Sequence, residues 1–268
     1  MSELPIVPQS DPHLVAFVGE SVRSGADPEA FVVLSDEEII AIDRELDPEV
    51  ALAPWALDQP DLDVSHFTRF GERSLLLRGL VTLDIDLERV DDPVRSSTEG
   101  VLDLAISARR SGCAMIRMTG HVAEYRIGIV ASVQPEHGAV LEEVRPEGLH
   151  LFTAYDYRRA AARMAEWCVP ETATTTGQGE VTVTDAQWPD WAANELGVDA
   201  HLAEVDLFLP TDGGQVEGEH WVVASGDDTA VLVTRLDPEH LRVQATNRAT
   251  VADLLRDRMT RAVSVVTT

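Results

Sequence analysis

HLAEVDLFLP (residues 201–210), HWVVA (220–224), TAVLVTR (229–235), HLRVQATN (240–247) and TVADLLRDRMTRA (250–262) follow one another in the last quarter of the chain, and their reading decides the fold. The first alternates apolar and polar residues, as a strand with one buried face must. The next two are β-branched runs split by the turn Ser225-Gly226-Asp227-Asp228. In 240–247, Leu241, Val243 and Ala245 alternate with Arg242, Gln244 and Thr246. Thr250-Val-Ala-Asp253 then reads as a capping signature for a helix with Val251, Leu254, Leu255, Met259 and Ala262 on one face. Four strands and a helix are expected.

The same order recurs upstream. CAMIRMTG (113–120), EYRIGIVASV (124–133), 139–145 and 149–155 read as four strands. Asp156 caps a helix carrying Tyr157, Ala160, Ala161, Met164 and Trp167. Each unit is preceded by a helical stretch, 96–111 with Ser96 and Glu99 as a capping box, and 185–196. The fold class expected is therefore α+β. Two pseudo-symmetric helix/four-strand/helix units, 96–170 and 185–268, form a mainly antiparallel sheet with helices on one face. Residues 171–184 join them as a linker, because ETATTTGQGE (171–180) is rich in Thr and Gly and almost without apolar groups.

Residues 1–95 read as a separate helical part. Pro5 and Pro8 oppose regular structure in the first ten residues, and a first helix over 12–23 turns Leu14, Val15, Phe17, Val18 and Val22 inward before Gly25. Ser35 and Glu38 form a capping box for a second helix, with Ile39, Ile40, Ile42 and Leu46 as its stripe. A third, 64–78, places Phe67, Phe70, Leu75 and Leu76 inward and ends at Gly79, and a strand is expected over 80–87. Three helices and a strand resemble a winged helix, with Arg69, Arg73 and Arg78 at spacings that share one face of the third.

Charge weighs against a nucleic-acid partner. The 47 acidic residues against 21 cations, all Arg, give a net charge of −26, and long-range repulsion opposes association with a polyanion or an anionic membrane. Glu72 on the third helix and acidic residues on both sides of it oppose a DNA reader further. No apolar run reaches bilayer length, and MSELPIVPQSD lacks the features of a signal peptide, so a cytoplasmic protein is expected. Cys113 and Cys168 lie far apart and read as buried free thiols.

The chain contains no H-E-x-x-H, C-x-x-C, G-x-S-x-G or Walker motif, so no catalytic residue, cofactor or metal is expected. The eight histidines fall mostly at predicted strand ends and turns and read as surface residues. Asp84-Ile-Asp86 has the D-x-D form of a divalent-metal site, but a half-exposed strand with acidic outward positions gives the same pattern. With Leu241, Val243, Met115, Ile127 and Ile129 turned toward helices, Arg117, Arg126, Asp206, Phe208, Arg242 and Gln244 are left for an uncovered face. Arg and aromatic side chains there suit a protein partner.

On these residues the chain resembles the EspG family, cytosolic chaperones of actinobacterial type VII secretion that bind PE–PPE heterodimers. The resemblance lies in chain length, in the run Arg73-Ser-Leu-Leu-Leu-Arg-Gly-Leu80 closing the helical part, in the hairpin over 221–233, and in the two sheet-plus-helix units. It implies a non-enzymatic binding protein for a secreted helical client, without a cofactor. The family's opening strand has no clear counterpart. The competing reading is a transcriptional regulator, with residues 10–92 as a winged helix and the remainder as a sensing domain.

Overall fold

The computed structural model describes residues 11–25, 28–42, 64–84, 95–98, 100–122, 125–174, 179–210 and 216–266. Helix α1 (Pro12–Ser24) begins where the Asp11 carboxylate accepts the His13 amide at 2.8 Å, and ends at Gly25, whose φ of 66° terminates it in the left-handed region. Strand β1 (Val32–Ser35) runs directly into α2 (Asp36–Ile42). The expected capping box is present: the Ser35 amide donates to Glu38 Oε2 at 3.1 Å and the Glu38 amide to Ser35 Oγ at 3.3 Å. Helix α3 (Val64–Leu77) is followed by β2 (Val81–Asp84), β3 (Arg95–Thr98) and α4 (Gly100–Arg110). Ser96 is not a helix cap, because its backbone is committed to the β2–β3 ladder opposite Leu83. Glu99, Leu46 and Asp86 lie outside the described residues.

The four strands expected over 113–155 are β4 (Ala114–Val122), β5 (Tyr125–Gln134), β6 (Gly138–Val144) and β7 (Leu149–Tyr155). They lead into α5 (Tyr157–Cys168), which the Asp156 carboxylate caps by accepting the Arg159 amide at 2.8 Å. After β8 (Val181–Thr184) and α6 (Trp188–Glu195) come β9 (His201–Pro210), β10 (Val216–Ser225), β11 (Ala230–Arg235), β12 (His240–Thr246) and α7 (Arg248–Val266). The fold is α+β, built on one ten-stranded antiparallel sheet in the order β1-β7-β6-β5-β4-β9-β10-β11-β12-β8. Strands β4 and β9 join its halves, with Arg117 opposite Asp206 at the middle of the shared register. Two boundaries of the sequence reading change. Residues 181–184 are not linker but an edge strand on β12, and β1, assigned to a separate helical part, is the opposite edge, paired with β7.

Helices cover both faces, not one. On the first face α5 and α7 pack on each other and on the central strands, burying Ile116, Met118, Ile129, Val205, Leu207, Trp221 and Val223 beneath Met164, Leu255 and Met259. Among the described residues, helices cover the other face at its flanks. There α1, α2 and α4 bury Val32, Leu34, Val140 and Phe152, while α6 closes over Val183, Val231, Val233 and Val243. Helix α1 lies against β5, β6, β7 and α4, whereas α2 packs on α3, so these contacts do not describe a three-helix winged-helix core. Phe70, expected inward, is 61% exposed.

Leu241 and Val243 therefore belong to the α6 cluster and not beneath α7, which crosses back over β4, β5 and β9. The cap explains where that helix begins: Asn247, not Thr250, stands at its N-terminus, its Oδ1 accepting the Thr250 amide at 2.8 Å. Asn247→Ala is expected to cost about 1 kcal/mol. Chemical denaturation would register it as a lowered midpoint at unchanged slope.

Candidate functional site

Among the described residues, the helices packed on β4 and β9 are α5 and α7, on one side. On the opposite surface of these strands, among the described residues, Arg117, Asp206 and Phe208 are half-buried and Leu202, Glu204 and His220 exposed, while Thr119 and Ser132 at its edge are buried. Pairing register sets a straight row across it, Val130 on β5, Arg117 on β4, Asp206 on β9 and His220 on β10. A second row holds Ser132, Met115, Phe208 and Gly218, and a third Gly128, Thr119, Glu204 and Val222. Leu202, 45% exposed, continues the apolar surface along β9. Alternation forces this grouping, because residues two apart on a strand share a face. Met115 accordingly lies beside Arg117, and Ile116 and Met118 take the helix-covered side.

The middle row is an ion cluster. Arg117 donates from Nη2 and Nε to Asp206 Oδ2 at 2.6 and 3.2 Å, and His220 Nδ1 stands 2.9 Å from Asp206 Oδ1. Burial pushes the Asp206 carboxyl up, but the hydrogen bonds from Arg117 and His220 together outweigh it and hold the group below its ordinary range. Asp206 is thus a fixed anion at neutral pH, and it orients the guanidinium instead of exchanging protons. Half-buried Met115, Val130, Phe208 and Val222 surround a polar centre. The surface thus combines an apolar rim with a directional charge pair.

Of the six residues the sequence assigned to an uncovered face, Arg117, Asp206 and Phe208 come together here. Arg242 and Gln244 do not. They pair with Thr234 and Leu232 on β11, and Leu232 packs with the α5/α7 core, so both point to that side, beyond the helices. Arg242 is held there by Glu180, Nε to Oε1 3.2 Å. Arg126 lies in β5 opposite His121, and its side chain is outside the described residues.

Sequence reasoning missed a second charged group, which fixes the helical part to the sheet. His150 is fully buried, its Nδ1 2.7 Å from Glu142 Oε1 and its Nε2 2.8 Å from Asp36 Oδ1, and Arg109 on α4 pairs with the same Glu142 oxygen. It is therefore not a surface histidine, as its place near a turn suggested. The available signal was the pair Glu142-Glu143 inside an apolar strand, which demands partners. Glu143 finds one in Arg163 on α5, at 2.7 and 2.8 Å.

Neither cysteine is primed for chemistry. Burial pushes the Cys113 thiol up to about 11 and that of Cys168 to about 12, so both stay protonated at neutral pH. Among the described residues no group of three or more His, Cys, Asp and Glu side chains could hold a metal ion. No described helix is long and apolar enough to cross a membrane. Arg78, one of the three arginines proposed for DNA, is committed to Glu38 at 2.5 Å and to the Val33 carbonyl at 2.8 Å. The chain matches no protein-family model and no curated protein sequence.

Proposed function

We propose that this is a non-enzymatic binding protein of the EspG-like kind, a cytosolic chaperone or adaptor that holds a helical, secreted PE–PPE-type client. The observation that carries the reading is the open central face, where Arg117, Asp206 and His220 form a polar centre among Met115, Val130, Leu202 and Phe208. A helical client can lay an apolar ridge against those side chains and present a polar group to the oriented Arg117.

The strand order supports a duplicated origin for this face. Outward from the β4/β9 junction the neighbours run β5, β6, β7, β1 on one side and β10, β11, β12, β8 on the other. Each half thus ends on a short strand that comes before its four in the chain, β8 separated from β9 by α6 and β1 from β4 by α2, α3, β2, β3 and α4, and α5 packs on α7 across the junction. A pseudo-twofold axis between Arg117 and Asp206 would relate the halves and place the client surface on the axis. Co-expression with PE–PPE-like heterodimers, followed by size-exclusion chromatography, is expected to yield a stoichiometric complex and a more soluble client. If every candidate pair elutes separately and stays insoluble, the reading fails.

A further inference from the structure

Among the described residues, helix α3 packs one face inside the molecule and leaves the other exposed. The inner face is fixed by Phe67 and Leu75, 5% and 1% exposed, and by Gly71, where an added Cβ would stand 2.0 Å from the Glu37 carbonyl oxygen. Its C-terminal turn is bound to α2, Ser74 Oγ donating to Glu38 Oε1 at 2.7 Å beside the Arg78 contact. The helix is therefore a rigid platform. Its outer side carries His66, Arg69, Phe70, Arg73 and Leu77, all exposed, at the spacing of one continuous stripe about 16 Å long. Phe70 is 61% and Leu77 87% exposed, two large apolar side chains on the same stripe as the two arginines.

We infer that this stripe is a second docking surface, and that its occupant is an acidic amphipathic helix of a partner protein. The partner's apolar ridge would cover Phe70 and Leu77 while its carboxylates meet Arg69 and Arg73, which have no ion pair among the described residues. Charge selects this occupant. In a chain of net charge −26 the stripe carries two arginines and no carboxylate. A second copy docking on the same surface would set arginine against arginine and two strongly acidic molecules against each other. Against a phosphate backbone the exposed Phe70 and Leu77 would gain nothing. The surface is separate from the open sheet face and stands independently of the client proposed there.

The test titrates the full-length protein into a fluorescein-labelled designed helical peptide with leucines at a and d positions flanked by glutamates, beside a scrambled peptide of the same composition. Saturable binding of the amphipathic peptide alone is expected. Arg69→Glu with Arg73→Glu, and separately Phe70→Ala with Leu77→Ala, should each weaken it at least about tenfold, while Phe208→Ala leaves it unchanged. These positions are exposed, and thermal melts of the variants should match the wild type. Absence of saturable binding, equal binding of the scrambled peptide, or indifference to the four substitutions overturns the inference. So does a concentration-dependent dimer abolished by Leu77→Asp, which would assign the stripe to a second copy. Duplex DNA binding abolished by the arginine substitutions would assign it to nucleic acid instead.

Discussion

Replacing His150 with alanine is expected to cost about 3–5 kcal/mol of folding stability, with a fall in melting temperature on the order of 10 °C. The imidazole lies at 0% exposure between Asp36 and Glu142, and its removal takes a shared hydrogen-bond partner from two buried carboxylates and leaves a cavity between them. The change would act far from its site in sequence, because this contact holds the N-terminus of α2 to the turn before β7, where the Asp36 amide also donates to the Gly148 carbonyl at 2.9 Å. Burial lowers the pKa of His150, but the hydrogen bonds to Asp36 and Glu142 more than offset it, so the folded value lies above the ordinary 6.5.

The sign of the pH dependence follows. The contribution of His150 is fully present below the unfolded value near 6.5 and is lost as pH rises through the raised folded value. Glu142 runs the other way. Burial raises its pKa, yet Arg109 and His150 together bring it below 4.5, so its contribution is present above that value and disappears as pH falls through the folded one. Stability should therefore be greatest between the two limbs, and His150→Gln should flatten the alkaline limb. Thermal melts across both limbs measure this. A wild-type midpoint that rises steadily from neutral to alkaline pH, or an undamaged His150→Ala protein, would show that the network is not ionic as described.

Leu255→Asp is expected to unfold the protein outright. Leu255 is 0% exposed on α7, in the core that α5 and α7 form over Ile116, Met118 and Val205. An aspartate there would bury a carboxylate with no partner, a cost of more than about 4 kcal/mol against a total stability of about 5–15 kcal/mol. Arg242→Glu provides the contrast. It breaks only the exposed pair with Glu180 and should shift stability by less than about 1 kcal/mol. Circular dichroism and soluble yield separate the cases, and comparable damage from the two would mean the core is misplaced.

The strands over 113–155 and 201–247 are legible because alternation or a β-branched run persists through six to ten residues in each. Strands β1 and β8, of four residues each, are too short for alternation to declare itself, and only their partners β7 and β12 define them. Alternation also tells which residues share a face without telling which helix covers it. Arg117, Asp206 and Phe208 share one face, whereas Arg242 and Gln244 lie on the other: α7 leaves β12 to pack on the central strands, and α6 covers Leu241 and Val243 instead. The buried network was out of reach for a different reason. Asp36 and His150 are 114 positions apart, and no local pattern anticipates a contact between them.

The open central face is tested most directly by titration calorimetry of a co-purified helical client against wild-type protein and the variants Phe208→Ala, Leu202→Glu and Arg242→Glu. Phe208 and Leu202 lie on the open face, so their substitution should weaken binding at least about tenfold with little change in melting temperature. Arg242→Glu, on the other side of the sheet, should leave the affinity unchanged. Full affinity in the first two variants together with loss in Arg242→Glu would place the client on the α5/α7 side and contradict the assignment.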